Sequence, residues 1–296
     1  MNSPALKLIV TGGSGFLGGY VLREAAGRGH HVAALARSRS AAGAVTALGA
    51  HPVSGDLNDA RSLADAFAVA GCDVLINLAS LGFGHAAAIV GAAERAGIRR
   101  AVFVSTTAVT TTLPASSKRV RLAAEESIRA SALDWTILRP TMIYGDPGDR
   151  NLSRLLPLLR RAPVLPVPGG RHLQQPVHAA DVAGAVLAAA ERPAAAGHTY
   201  DVAGPEPLTF TDLLQTAARA VASRTWFVPV PLFPVLAAAR GYELLSRNPK
   251  IRAEQVRRLA EDKAFAIGDA IRDLDYAPRS FADGIRAEAA AMGLAA

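Results

Sequence analysis

The sequence is poor in the residues that mark several common classes of protein. Its one cysteine, Cys72, allows no disulfide within the chain, which favours a reducing, cytoplasmic location. No uncharged apolar run reaches the roughly 18 residues that span a bilayer, so we expect no membrane span. The first predicted strand begins so near residue 1 that we also expect no signal peptide.

The longest apolar segment, residues 226–239, is interrupted by Pro229, Pro231 and Pro234. We expect this segment to form a wall of a substrate pocket. The alternative is that it contacts a membrane surface.

Aromatic residues make up only 5% of the chain, and the arginines are dispersed rather than interleaved with them. Nucleic-acid-binding surfaces usually need such clusters, so we expect no nucleic acid as partner. The net charge of +7 leaves two alternatives, an anionic cofactor or substrate and a solvated, arginine-rich surface. Half of the 296 residues are apolar, which is enough for a large core.

Strand-like and helix-like segments alternate through the first half of the chain. This alternation predicts an α/β fold with a Rossmann-type, doubly wound parallel sheet. The predicted strands are 6–11, 31–36, 51–53, 73–78, 101–105 and 135–139, and the helices between them include 15–28, 59–70, 85–96 and 117–131.

The pattern loosens after residue 145, where proline and glycine clusters appear. We predict a dinucleotide-binding domain over residues 1–145 and a smaller, mostly helical substrate lobe over 146–296. The two are partly interleaved, since residues 176–203 are expected to return to the sheet. Helices are predicted near 181–192, 209–222 and 252–261.

A glycine-rich turn follows the first predicted strand. Gly12, Gly15 and Gly18 stand between an apolar run and an amphipathic stretch that begins at Phe16. Glycine allows positive φ and a close approach of the backbone to a pyrophosphate, whose charge then meets the N–H groups at the helix start. An ordinary strand-to-helix turn is the alternative, but the strand–turn–helix context favours a dinucleotide-binding loop.

The string Thr11-Gly12-x-x-Gly15-Phe16-Leu17-Gly18 resembles the short-chain dehydrogenase/reductase superfamily, in its extended epimerase/dehydratase branch. Further resemblance covers Asp56-Leu57, Asn77–Ser80, Val104–Thr107, Leu138–Gly145, Gln175–Ala183 and segments between 262 and 285. The resemblance implies that the cofactor is held by Gly12, Ser14, Gly15, Phe16, Leu17, Asp56, Leu57, Leu78, Ala79, Arg121, Pro140 and Thr141.

Within these segments, some residues have a structural alternative. Asp56 is expected at the adenine, although either Asp56 or Asn58 could instead cap a helix. For Asp181 we favour a helix N-cap, and for His178 a structural hydrogen bond.

No carboxylate ends the second predicted strand, where NAD enzymes of this fold bind the ribose hydroxyls. Arg37 stands there instead, nineteen residues after Gly18. A guanidinium matches a 2′-phosphate, so the sequence predicts NADP(H) rather than NAD(H). The alternative is a surface arginine at a strand end.

The family's catalytic Tyr-x-x-x-Lys is also missing, since no tyrosine lies between Ser105 and Trp135. Alignment of Ala124-Glu125 with the family's Ala-Glu puts Arg121 at the lysine position. We expect Ser105 and Thr106 to orient the substrate, Arg121 to hold the nicotinamide ribose, and Lys118 or water to supply the proton. Alternatively, Ser105 only caps the strand end and Lys118 is an exposed surface lysine. Tyr144 and Tyr200 are more remote candidates for the proton transfer.

Two functions follow. The first is an NADP(H)-dependent oxidoreductase or epimerase/dehydratase with a non-standard proton relay, acting on a small molecule such as a sugar-nucleotide-like or other polar carbonyl or alcohol metabolite. The alternative is a non-catalytic NADP(H)-binding sensor or assembly subunit. By analogy with the family, the predicted helices 85–96 and 117–131 could form a homodimer.

Overall fold

The computed structural model describes residues 4–113, 116–149, 151–246 and 253–295. The chain forms two compact units and passes between them several times. Unit 1 consists of Met1–Thr141, Ala179–Val202 and Ala266–Ala277, and unit 2 consists of Met142–His178, Ala203–Phe265 and Pro278–Ala296.

Unit 1 is built on a parallel sheet of seven strands, in the order β11-β6-β5-β4-β1-β2-β3. The predicted α/β fold and its first six strands are confirmed. With elements numbered along the whole chain, these strands are β1 (Lys7–Thr11), β2 (His31–Ala36), β3 (His51–Ser54), β4 (Val74–Asn77), β5 (Arg100–Val104), β6 (Asp134–Pro140) and β11 (His198–Val202).

Helices flank the sheet of unit 1, and α2 and α11 were not predicted from the sequence. They are α1 (Phe16–Gly27), α2 (Arg39–Thr46), α3 (Ala60–Ala70), α4 (Ala86–Arg95), α5 (Ser116–Arg129), α7 (Ala179–Glu191) and α11 (Gly268–Leu274).

The central strands of unit 1 are apolar on both faces. Leu8, Ile9 and Val10 of β1 are fully buried, as are Leu75 and Ile76 of β4. A continuous apolar run of this kind is typical of a parallel strand that is covered on both sides. In the parallel pairing of β1 with β4, Thr11 lies opposite Asn77.

The carboxyl ends of β1 and β4 are joined by buried polar groups. The hydroxyl of Thr11 donates to Oδ1 of Asn77 at 2.6 Å, and Nδ2 of Asn77 donates to the carbonyl of Ala79 at 3.0 Å. Both side chains are fully buried, so each needs these partners. The pair fixes the edge of the sheet at which an open α/β fold binds its ligand.

Two predicted helix caps are wrong. Asp59, rather than Asp56 or Asn58, caps α3, because its carboxylate accepts the N–H groups of Arg61 and Ser62 at 3.0 and 3.1 Å. Asp181 lies inside the first turn of α7, which already begins at Ala179.

Unit 2 combines short strands with helices around a core of its own. Its strands are β7 (Ile143–Tyr144), β8 (Val164–Pro168), β9 (Leu173–Gln174), β10 (Val177–His178), β12 (Leu208–Thr209) and β13 (Trp226–Val230). Its helices are α6 (Leu152–Arg161), α8 (Phe210–Ala220), α9 (Leu232–Leu245), α10 (Ala253–Arg258) and α12 (Phe281–Ala291).

Tyr144 is a core residue of unit 2. It is 1% exposed and packs edge-on against His178 and Phe281, with ring centroids 5.4 and 5.3 Å apart. A Cβ atom at Gly284 would lie 2.1 Å from the Tyr144 hydroxyl oxygen, so only glycine fits there on α12.

Across the described residues of both units, every helix is too short or too polar to traverse a bilayer.

Candidate functional site

The loop between β1 and α1 needs glycine at two positions, for different reasons. Gly12 has φ +74°, and a Cβ atom there would lie 2.8 Å from the backbone nitrogen of Ala79. A Cβ atom at Gly18 would lie 2.3 Å from the carbonyl oxygen of Gly13. The first glycine allows the turn beside β4, and the second lets α1 pack onto the loop.

The start of α1 presents backbone donors. The helix begins at Phe16 with Gly15 as its N-cap, and it has no side-chain cap and no acidic residue in its first turn. The first-turn N–H groups, which have no partner within a helix, are therefore suited to an anion. Ser14, Gly15, Phe16 and Leu17 all lie in this segment, and the Gly15 N–H itself donates to the Gly12 carbonyl at 3.0 Å.

A cavity of about 520 Å³ lies beside this loop in unit 1. It brings together six of the residues predicted from the sequence, namely Gly12, Ser14, Arg37, Asp56, Leu57 and Ala79. Leu78 adjoins it, since its carbonyl carbon lies 3.0 Å from a Cβ atom placed on Gly12. The sequence analysis missed several lining residues, which are Leu35, Ser38, Ser40, Ala41, Ala44, Gly55, Asn58, Ser80, Phe83 and His85.

Arg37 is exposed at the end of β2 and lines this cavity. Its guanidinium forms no hydrogen bond with another residue in the described part of the chain. The next residue, Ser38, caps α2 by accepting the N–H of Ala41 at 3.2 Å. A free guanidinium therefore stands next to a helix start, which is an arrangement that attracts an anion.

Asp56 follows β3 and also lines the cavity. Its Oδ1 accepts both the backbone N–H and the side-chain amide of Asn58, each at 2.9 Å. The Asn58 backbone N–H, more than the charge of Arg37, lowers the pKa of Asp56 below its usual value. The carboxylate is thus ionised near neutral pH and can accept a hydrogen bond from a ligand amino group.

Ser105 follows β5, and its side chain is bound to a buried carboxylate. Its hydroxyl donates to Oε1 of Glu125 at 2.7 Å. Glu125 is fully buried on α5 and also accepts from Nε of Arg139 at 3.0 Å and Nη2 of Arg129 at 2.8 Å. Burial opposes its ionisation, but the hydrogen bonds from Arg139 and Ser105 outweigh burial and lower the pKa of Glu125.

The hydroxyl hydrogen of Ser105 is therefore taken up by the hydrogen bond to Glu125. An ionised carboxylate accepts hydrogen bonds only, so Ser105 must be the donor in this pair. Towards a substrate, the Ser105 oxygen can accept a hydrogen bond but has no hydrogen left to donate.

Thr106 has the complementary arrangement. Its hydroxyl oxygen accepts the Ala108 N–H at 3.2 Å and thereby caps the 3-10 turn at Thr107–Thr110. Its hydroxyl hydrogen has no acceptor among the described residues. Thr106 therefore both caps the strand end and can donate to a substrate oxygen.

Lys118 and Arg121 lie on α5 and contact two different loops of unit 1. The Lys118 ammonium donates to the Thr111 carbonyl, beyond β5. The Arg121 guanidinium lies against Gly82 in the turn after β4, 3.2 Å from a Cβ atom placed on that glycine. Both side chains are half-buried, and their predicted roles stay predictions.

Pro140 ends β6, Thr141 follows it, and both are buried. The Thr141 N–H donates to the Val202 carbonyl at 3.0 Å, and Pro140 accepts from the Thr107 hydroxyl at 3.4 Å. Neither residue lines the 520 Å³ cavity, so their predicted contact with the cofactor stays a prediction.

The two remote tyrosine candidates are buried. Tyr200 is 1% exposed and donates to Oδ2 of Asp273 at 3.3 Å, while burial raises its pKa to about 12. Tyr144 lies in the core of unit 2. Their role as remote candidates for proton transfer stays a prediction. Among the described residues, no group of three or more His, Cys, Asp or Glu side chains could hold a metal ion.

Comparison with known proteins agrees with this geometry. The model of a family described as NAD(P)H-binding matches residues 12–193. The chain is 31% identical to 4-hydroxy-2-methyl-3-oxo-4-farnesyl-3,4-dihydroquinoline-1-oxide ketoreductase of Stigmatella aurantiaca, over 93% of this chain and 92% of that protein. It is also 31% identical to 2-alkyl-3-oxoalkanoate reductase of Stenotrophomonas maltophilia, over 95% of this chain and 98% of that protein.

Among solved structures, the chain is similar to UDP-glucose 4-epimerase from Stenotrophomonas maltophilia with bound NAD. The TM-score is 0.74 and the sequence identity 18%, with 97% of this chain and 99% of that chain covered. The predicted resemblance is confirmed, and the named activities favour the catalytic interpretation over a non-catalytic subunit. The chain therefore belongs to the NAD(P)H-binding family, has the fold of the epimerase/dehydratase-like short-chain dehydrogenases, and is an NAD(P)-dependent enzyme of the oxidoreductase type.

Proposed function

We propose that the protein is an NADPH-dependent reductase whose substrate is a ketone carried on an apolar body. The observation that carries this proposal is a second cavity, of about 700 Å³, within unit 2. Its walls are mostly apolar, with a few polar side chains that could orient a ligand. The apolar lining is Val167, Phe227, Pro229, Val230 and Pro231, and the polar side chains are Arg171, His172 and Thr211.

The two curated relatives support the same class of substrate. The Stigmatella enzyme is named for a 3-oxo compound that carries a farnesyl group, and the Stenotrophomonas enzyme for a 3-oxo acid that carries an alkyl group. Both names combine a ketone with an apolar chain. A sugar nucleotide, the polar class favoured by the sequence, would leave most of the apolar wall in unit 2 without a partner.

Arg37 supports NADPH over NADH. In the cavity of unit 1 it is joined by Ser38 and Ser40, two hydroxyls at the start of α2. A 2′-phosphate would accept hydrogen bonds from the guanidinium and from this helix start. The glycine loop fits the pyrophosphate, because α1 starts without a side-chain cap or an acidic residue, which leaves its first N–H groups for an anion.

NADPH, when bound, supplies the hydride that forms the new C–H bond at the carbonyl carbon. In this proposal the Thr106 hydroxyl donates to the carbonyl oxygen and stabilises its growing negative charge. Lys118, or a water molecule, supplies the proton to that oxygen, which completes the alcohol. The hydrogen bond to Glu125 leaves the Ser105 oxygen able only to accept a hydrogen bond from the substrate. Arg121 holds the nicotinamide ribose.

Arg37→Ala tests the cofactor preference. A hydrogen bond to a charged group contributes about 1.5–3 kcal/mol, so the Kd for NADPH should rise about 10–100-fold. The Kd for NADH should change less than about twofold, since NADH has no 2′-phosphate. Isothermal titration of both cofactors measures this, with Arg39→Ala as control because Arg39 is exposed and does not line the cavity. Tighter binding of NADH than of NADPH to the unaltered protein would contradict the preference.

A substrate panel tests the proposed activity. NADPH oxidation by the purified protein is followed with 2-alkyl-3-oxoalkanoates of increasing alkyl length and with UDP-hexoses. We expect kcat/KM to rise with alkyl length by about fourfold per buried methylene, which corresponds to about 0.8 kcal/mol. Turnover of UDP-hexoses without turnover of any alkyl ketone would assign the enzyme to the polar class instead.

A further inference from the structure

The ribbon formed by β8 and β13 in unit 2 is apolar on both of its faces. The two strands pair in parallel, with Val164 opposite Trp226, and their ten residues include no polar side chain. Leu165, Val167 and Phe227 belong to the core of unit 2. The outer side chains are open, since Val164 is 54%, Trp226 77% and Val228 44% exposed. Sheets with one face in water normally carry polar residues there.

Helix α9 follows the ribbon in the chain, since it begins at Leu232, two residues after the end of β13. One side packs with α10 through Leu236 and Ala239. The other side leaves Phe233, Leu244 and Leu245 more than 80% exposed. We call the six residues Val164, Trp226, Val228, Phe233, Leu244 and Leu245 the apolar face. Large exposed apolar groups in such number indicate a binding surface.

Arginines flank the apolar face near the ribbon, while the one acidic residue of α9 is Glu243. Residues 151–171 and 213–242 contain seven arginines and no aspartate or glutamate. Arg160 and Arg161 end α6, and Arg224 lies two residues before the start of β13. All three are exposed and form no ion pair with a described residue.

These arginines lie at the end of the ribbon that carries Val164 and Trp226. The Trp226 N–H donates to the Pro163 carbonyl at 2.9 Å, and the Thr225 hydroxyl donates to the Ala162 carbonyl at 2.6 Å. These bonds hold the segment that follows Arg161 against the segment that follows Arg224.

We propose that the apolar face docks onto the surface of an anionic lipid bilayer. Tryptophan and other large apolar side chains partition into the interfacial region of a bilayer, and arginines are attracted to its anionic headgroups. A second copy of the chain fits less well, because a two-fold interface would bring the same unpaired arginines together. This surface is separate from the cofactor site, and the proposal does not depend on the substrate proposed above.

Tryptophan fluorescence reports on the docking directly. The chain has two tryptophans, so Trp135→Phe leaves Trp226 as the reporter in the full-length protein. Vesicles of phosphatidylcholine with 30% phosphatidylglycerol, about a physiological anionic fraction, should shift the Trp226 emission to shorter wavelength. Brominated lipid chains should quench it, and pure phosphatidylcholine should do neither. Co-sedimentation with the same vesicles gives the partition coefficient.

Charge-matched variants identify the surface. Arg160→Glu with Arg161→Glu should lower the partition coefficient at least about tenfold, since each basic residue contributes about 1 kcal/mol at an anionic surface. Arg95→Glu with Arg99→Glu, on unit 1, changes the net charge equally and should lower it much less. NADPH binding by each variant confirms that it is folded.

Three outcomes would overturn the proposal. One is unchanged Trp226 emission with anionic vesicles. The second is a dimer in sedimentation velocity that Trp226→Ser dissociates, which would assign the face to a second copy. The third is a blue shift produced by an alkyl ketone without vesicles, which would make Trp226 part of a substrate site.

Discussion

Thr106→Val is expected to lower kcat for ketone reduction by about 100-fold, the usual effect of removing one donor to a developing oxyanion. The reason is the hydrogen bonding after β5. The Ser105 hydroxyl donates to Glu125, whereas the Thr106 hydroxyl hydrogen has no acceptor among the described residues. The Kd for NADPH should stay within about threefold, because Thr106 does not line the cofactor cavity. Steady-state kinetics and titration measure the two quantities.

Two variants control this experiment. Thr106→Ser keeps the hydroxyl and should retain most of the activity. Ser105→Ala removes a group that can only accept, so its kcat should fall less than about tenfold. A larger loss in Ser105→Ala than in Thr106→Val would show that Ser105 is the donor and would contradict the assignment.

Glu125→Ala should reduce the free energy of unfolding by about 3–5 kcal/mol, as is typical when one partner of a buried ion pair is removed. Its carboxylate is fully buried, while the Arg139 side chain that it binds is only 20% exposed. The deletion leaves this guanidinium without its closest counter-charge. Urea denaturation near neutral pH measures the change.

Glu126→Ala provides the matched control, because Glu126 is the exposed neighbour on the same helix. It should change the free energy of unfolding by less than about 0.5 kcal/mol. Equal losses in the two variants would contradict the role of the Glu125 cluster.

The same cluster predicts a pH dependence. Because the folded-state pKa of Glu125 is lowered from its usual 4.5, its contribution is complete above that value and is lost as the pH falls through the folded pKa. The difference in stability between the unaltered protein and Glu125→Ala should therefore shrink below about pH 4.5.

The sequence predicted those parts of the fold that depend on local pattern. The buried runs of β1 and β4 have no polar alternation, and the glycines at 12 and 18 satisfy close backbone contacts within the loop. Helix α2 was missed because it is only eight residues long and contains Gly43, although Ala41 and Ala44 line the cofactor cavity. The ribbon of β8 and β13 was missed because prolines interrupt both strands.

The hydrogen bonding of the candidate active site could not be predicted. Glu125 reaches Ser105 across 20 residues and Arg139 across 14, and these separations arise only when α5 packs on the sheet. The sequence predicted that Ser105 and Thr106 act alike, whereas the hydrogen-bond partners distinguish them. The N-cap of α3 was not predictable for the same reason. Three polar residues within 56–59 could cap the helix, and only the packing of the folded chain selects Asp59.

Deuterium transfer tests the central claim most directly. The protein is incubated with a long-chain 2-alkyl-3-oxoalkanoate and NADPH that carries deuterium at C4 of the nicotinamide, and the alcohol is analysed by mass spectrometry. Our account predicts one deuterium at the carbinol carbon with one stereoisomer of the labelled cofactor and none with the other. Failure to form alcohol with either stereoisomer, although NADPH binds, would contradict it.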